Sequence, residues 1–221
     1  MSEWWTSSLQ DFLLFAPRTY YRLFALYNEA VWPAHIATLV LGLVCLVLAR
    51  STSGTAHRTL LATLAALWLW IAWAFQAERF ATINWAATNY AGAFALQAAL
   101  LLWFALVRPK AAVPPAQSPM PLALAAFAIV LQPAIGPLLG RDWQQAEIFG
   151  LAPDPTAVAT LALLAARNRP PWLLMIIPAL WCAVTGLTLW TMEAPDALVT
   201  PIAGALALLA AAWKTTPHEI R

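Results

Sequence analysis

Long apolar runs broken by short polar punctuation organise this chain. They fall at residues 31–49, 59–76, 86–107, 121–139, 155–167, 171–191 and 196–213, each bounded by charge, proline or both. Several approach the ~20 residues that an α-helix needs to cross a hydrocarbon core about 30 Å thick. The pattern predicts an all-α, polytopic membrane protein with seven transmembrane helices over residues 31–213. Ahead of them, residues 1–30 mix Trp4, Trp5, Phe12, Phe15, Tyr20, Tyr21, Phe24 and Tyr27 with Asp11, Arg18 and Arg22. An aromatic stretch so punctuated by charge suits an interfacial, amphipathic helical segment better than a span. Residues 108–120 are rich in Pro and Ala and read as a linker, which permits a 3+1+3 arrangement of the spans, and residues 214–221 form a tail.

Composition supports that reading and narrows it. The chain is 62% hydrophobic and 10% charged, with 17 Pro and 13 Trp among 221 residues, whereas a soluble domain is roughly a quarter charged. A net charge of +2 without a long charge run gives no grip on a phosphate backbone, so nucleic acid is not expected as a partner. Cys45 and Cys182 both sit inside apolar runs and read as small core residues. The opening Met1-Ser2-Glu3-Trp4-Trp5 lacks the basic start of a cleavable signal peptide, so the N-terminal segment is expected to be retained.

Seven crossings sort the charges onto two sides. Arg18, Arg22, Arg79 and Arg141 share the side of the N-terminus, while Arg50, Arg58, Arg108, Lys110, Arg167, Arg169, Lys214 and Arg221 lie opposite. The positive-inside rule then predicts the N-terminus outside and the C-terminus in the cytoplasm. The acids Glu3, Asp11, Glu29, Glu78, Asp142, Glu147, Asp154, Glu193 and Asp196 all fall on the outer side, and only Glu219 opposite. Any functional site is therefore expected to open outward.

The richest outer stretch runs from Gly140 to Thr156. Asp154 followed by Pro155 reads as a helix N-cap with proline at the first helical position. The helix it starts, ending near Arg167, is only ~20 Å long, about 10 Å short of a span. Part of 146–155 must then enter the membrane as non-helical backbone, which needs protein or water around it, and short helices of this kind border sites in transporters. The functional alternative is a water-accessible vestibule with Asp154 and Thr156 at its floor. Asn28, Glu29, His35, Asn84, Asn89, Arg141, Glu147 and Glu193 are the other candidate lining residues. Each has a plainer reading: a lone His35 as a hydrogen-bonded structural residue, Asn84 and Asn89 as helix-tying amides, and Glu78, Arg79, Arg141 and Asp142 as rim ion pairs. Trp68, Trp70, Trp73, Trp172, Trp181 and Trp190 read as interfacial anchors. The chain carries no phosphate loop, nucleophile elbow, His-Glu-x-x-His or Cys-x-x-Cys, so catalytic residues, metal ligands and cofactors are not expected.

The segments Leu23 to Pro33, Ile83-Asn84-Trp85-Ala86-Ala87, Phe149 to Thr156, Pro171 to Leu174 and Ile177 to Trp181 resemble a bacterial multi-pass membrane family, domain of unknown function 6064. The resemblance covers nearly the whole chain. It implies a helical bundle in the bacterial cytoplasmic (inner) membrane and no activity. Where that family often has Cys-Pro-Thr, this chain has Asp154-Pro155-Thr156, which leaves no thiol there.

The function expected from these readings is binding or passage of a small solute or cation through an outward-facing polar vestibule. Acidic lining favours a cation. Membrane lipid is the implied surrounding. A second reading is an accessory or assembly subunit of a larger membrane complex, or a homo-oligomer, whose Ala-rich run Ala203 to Ala212 allows close helix contact. An intramembrane enzyme using Asp154, Glu147 and His35 is a third.

Overall fold

A computed structural model describes residues 15–107 and 118–213. The start of the interfacial segment (1–14), most of the linker (108–117) and the tail (214–221) lie outside the described residues. Within them every regular element is helical, apart from an isolated bridge between Phe149 and Ala152.

Helix α1 (Pro17–Val31) starts on a proline and ends at Trp32-Pro33. Pro33 has no backbone N–H to continue the ladder, and the axis turns by 91° into α2 (Ala34–Arg50). Helix α1 buries Tyr20, Leu23, Phe24, Tyr27 and Asn28, positions three or four apart that share one face. Arg22, Leu26 and Glu29 lie on the exposed side. Helix α1 is thus amphipathic.

Helix α3 (Gly54–Trp70) runs on through a π-helical stretch, Ile71–Ala77, and pairs with α4 (Ala87–Val107). The next span is also composite: α5 (Met120–Ala126), a π-helical turn Phe127–Leu131, and α6 (Gln132–Leu138). Pro133 and Pro137 explain the break, since each removes a donor from the ladder and its ring crowds the preceding turn. Helices α7 (Pro153–Ala165), α8 (Trp172–Thr191) and α9 (Val199–Ala212) complete the chain.

Helix α7 is the axis of the molecule. All its residues are buried, and α2, α3, α5, α8 and α9 pack around it. Its sequence is mostly apolar on every side, and its polar residues Asp154, Thr156 and Thr160 are each hydrogen-bonded inside the protein. Small residues set the closeness of that packing. A Cβ at Gly204 of α9 would meet Cys182 Sγ at 2.9 Å, and one at Gly186 of α8 would meet Pro201 Cγ at 2.8 Å. The Ala-rich face of α9 is therefore spent inside the chain, on α7 and α8.

The prediction of seven full spans is corrected. Among the described residues, four helical stretches are long and apolar enough to cross a membrane: Gly54–Thr82, Ala87–Val107, Met120–Leu138 and Trp172–Thr191. The bent pair α1–α2 makes five if it counts as one span. Helix α7 has 13 residues and α9 has 14, both below the length of a span. The exterior is strongly apolar. Ile36, Val40 and Val47 on α2, Leu102, Trp103 and Leu106 on α4, and Leu180, Leu187 and Trp190 on α8 are all exposed. So many exposed large apolar side chains suit lipid or a partner rather than water.

Candidate functional site

Hydrogen bonds gather the connections into two sets, one at each end of the bundle. At one end Arg167 donates through Nη1 to Ser51 O (2.9 Å), and Arg58 donates to Ala105 O and Leu106 O (2.8 and 2.7 Å). At the other end Asn28 clasps the 140s segment, its Nδ2 donating to Gln144 O and Ala146 O, both at 2.8 Å. This second end holds the polar site.

The segment from Leu139 to Ala152 runs without an α-helix; its first half, including Leu139 and Trp143, is largely exposed, and the chain enters the protein from Ala146 to Ala152. Gly150 adopts φ 79°, a left-handed conformation that favours glycine. A Cβ there would also crowd Leu67 and Thr38. Thr156 closes the loop: Gly150 N–H donates to its Oγ1 and its hydroxyl donates to Ala152 O, both at 2.7 Å. Thr156 is thus a loop lock rather than the floor of a vestibule.

Asp154 is not the N-cap. Ala152 holds that position without a side-chain cap bond, and Pro153 begins the helix. The Asp154 carboxylate instead accepts three hydrogen bonds from neighbouring helices. Trp181 Nε1 donates to Oδ1 (2.8 Å), and Thr185 Oγ1 (2.8 Å) and Thr200 Oγ1 (3.1 Å) donate to Oδ2. Gln132 Nε2 donates in turn to Thr200 Oγ1 at 3.1 Å. The π-helical turn before Gln132 sets the register that faces it toward α9, and π-bulges recur at functional sites.

Arg141 sits at the centre. Its Nη2 pairs with Asp196 Oδ2, its Nη1 lies 3.6 Å from Glu147 Oε1, and its guanidinium covers the Tyr21 ring at 4.7 Å. Gly136 makes room for it, since a methyl group there would overlap the guanidinium. Gln132, Arg141, Glu147, Asp154, Asp196 and Thr200 line a cavity of about 20 Å³, room for one water molecule. Burial pushes the Glu147 carboxyl well above its ordinary range and the Asp154 charge adds to this, with Arg141 opposing.

The structure brings together Arg141, Glu147 and Asp154 of the predicted set, with Asn28 bracing their loop. It does not bring the others to the cavity. His35 is half-buried, shares a 3.3 Å contact between its Nε2 and Asn28 Oδ1, and rests against the Trp32 ring. Asn84 accepts from Ala86 N–H in a local turn (3.0 Å) rather than tying helices. Glu29, Asn89 and Glu193 are exposed. Asp154 is 2% exposed, so the site is closed here where an open vestibule was expected. Of the predicted anchors, Trp68 is fully buried and donates to Thr160 Oγ1 (3.0 Å), and Trp181 serves Asp154, while Trp73, Trp172 and Trp190 are exposed as anchors would be. Arg79 does not join a rim pair with Arg141 or Asp142. It lies over the Tyr27 ring and donates to Ala74 O. Gln132, Thr185 and Thr200 went unrecognised by sequence reasoning, and Asp196 counted only as one of the outer acids.

Together these features define an all-helical protein with several span-length apolar helices and a buried polar centre at one end. A family model described as a family of unknown function (DUF6064) matches residues 18–221, and the chain belongs to that family. No curated protein and no solved structure matches it.

Proposed function

We propose that this is a multi-pass protein of the bacterial cytoplasmic membrane that binds or passes a small solute or cation at the Arg141–Asp154–Asp196 site. The carrying observation is a charge mismatch: one guanidinium faces the carboxyl groups of Glu147, Asp154 and Asp196 in a buried cavity. A buried excess of negative charge is strongly unfavourable unless a proton or cation joins it.

Orientation follows from charge. The polar site shares its end with Glu29, Glu78 and Glu193, while Arg50, Arg58, Arg167 and Arg169 gather at the other. The positive-inside rule supports a cytoplasmic basic end and a site that faces outward. The accessory-subunit reading leaned on the small-residue face of α9, which α7 and α8 occupy.

The test is ion and proton flux in proteoliposomes, followed with ion-sensitive dyes. Flux above that of empty liposomes, abolished by Asp154→Asn in correctly folded protein, is expected. Equal flux in wild type, variant and empty liposomes would overturn the passage reading and leave binding to be measured directly.

A further inference from the structure

Two buried acceptor atoms in this site have no donor. Among the described residues, Asp196 Oδ1 and Gln132 Oε1 lack any hydrogen-bond partner, as does the donor Arg141 Nη1, which lies 3.6 Å from Glu147 Oε1. Asp196 and Gln132 are each 8% exposed, and both line the cavity of about 20 Å³. Unpaired buried acceptors are rare in native proteins and point to a missing occupant.

We infer that the cavity is a binding site for one dehydrated alkali-metal cation, held by Asp196, Gln132 and the Asp154 carboxylate. The inference deepens the proposal above by naming the ligand class.

Charge is the first argument. Burial opposes the charge of Asp154, and its three donors and a cation beside it are what would hold the carboxylate ionised. It also sits in the first turn of α7, where the helix N-terminus favours an anion. Arg141 is engaged by Asp196. With Glu147 protonated, the site retains one net negative charge, which one monovalent cation cancels. A water molecule would satisfy the two orphan acceptors but leave that charge in place.

Size and ligand type are the second argument. The volume is room for one water-sized occupant, which a single cation fits with its protein ligands in place of most of its hydration shell. Among the described residues, no group of three or more His, Cys, Asp or Glu is placed to hold a metal ion together. Divalent calcium would demand six to eight oxygens and magnesium would keep several waters. An amide oxygen with two carboxylates that are already hydrogen-bonded offers a weaker field, suited to a singly charged ion.

The experiment is thermal unfolding of the purified full chain, titrated with sodium or potassium chloride at an ionic strength held constant by N-methylglucamine chloride. An alkali cation is expected to raise Tm by about 3–5 °C per tenfold increase beyond half-saturation. Equilibrium binding of radioactive sodium or rubidium should reach one ion per chain. Gln132→Leu, which leaves every charge in place, should weaken that binding at least tenfold; Asp196→Asn is the second variant, should Gln132→Leu fail to fold. Identical Tm in all three salts with no isotope bound would overturn the inference and assign the cavity to a structural water or a proton alone. Bound cation without flux in proteoliposomes would sustain this inference while defeating passage.

Discussion

Glu147 and Asp154 are neighbouring acids held in different ways. Asp154 has three donors from α8 and α9, whereas Glu147 meets only Arg141 at 3.6 Å in a buried setting. Arg141, Asp154 and Asp196, together with Tyr20 and Tyr21 of α1, are the charged and titratable groups that face it. Its folded pKa lies well above the ordinary 4.5, so over that interval the folded state binds more protons than the unfolded one. Its contribution to stability is complete below about pH 4.5 and is lost as pH rises toward the folded value, at up to about 1.4 kcal/mol per pH unit. In buffer free of alkali cations, Glu147→Gln should flatten that decline; thermal unfolding across pH would show it, and an unchanged slope would remove Glu147 as the proton holder. Asp154 was conspicuous in the sequence because Asp-Pro before an apolar run is a helix-start signal. The signal located the helix correctly and misassigned the side chain, because a carboxylate that caps its own helix and one that serves two other helices look alike in one dimension.

At the scale of elements, the sequence periods placed the helices well and their roles poorly. Helix α7 was legible as a stretch too short to span, and its burial follows from a mostly apolar sequence whose polar residues, Asp154, Thr156 and Thr160, find partners inside the protein. The small residues of α9 suggested close contact, and only the packing shows that α7 and α8 are the partners. Gly204→Ala should cost about 1–3 kcal/mol through overpacking, since the added methyl would stand 2.9 Å from Cys182 Sγ. Combining it with Cys182→Ala should recover part of that loss. A double-mutant cycle on detergent-solubilised protein reads the coupling, and strictly additive effects would contradict the α8–α9 contact.

For the whole molecule, the apolar belt and the segregation of charge make one prediction. Under the proposed orientation, with the basic end in the cytoplasm, a C-terminal fluorescent-protein fusion should fold and fluoresce in bacterial cells, and an alkaline phosphatase fusion at the same point should be inactive. The reverse pattern would invert the molecule and turn the polar site inward.

Composition and hydrophobic pattern by themselves determined the helical class and the apolar stretches, several of them long enough to cross a membrane. These properties are sums over local residues, and a chain read in order contains them. Tertiary structure alone decided that Arg141 meets Asp196 across 55 positions of sequence, that Trp181, Thr185 and Thr200 converge on Asp154, and that Gln132 completes the ring. Such contacts depend on the relative rotation and depth of separate helices. Packing of small residues and proline-induced turns sets those quantities, and no single segment carries them.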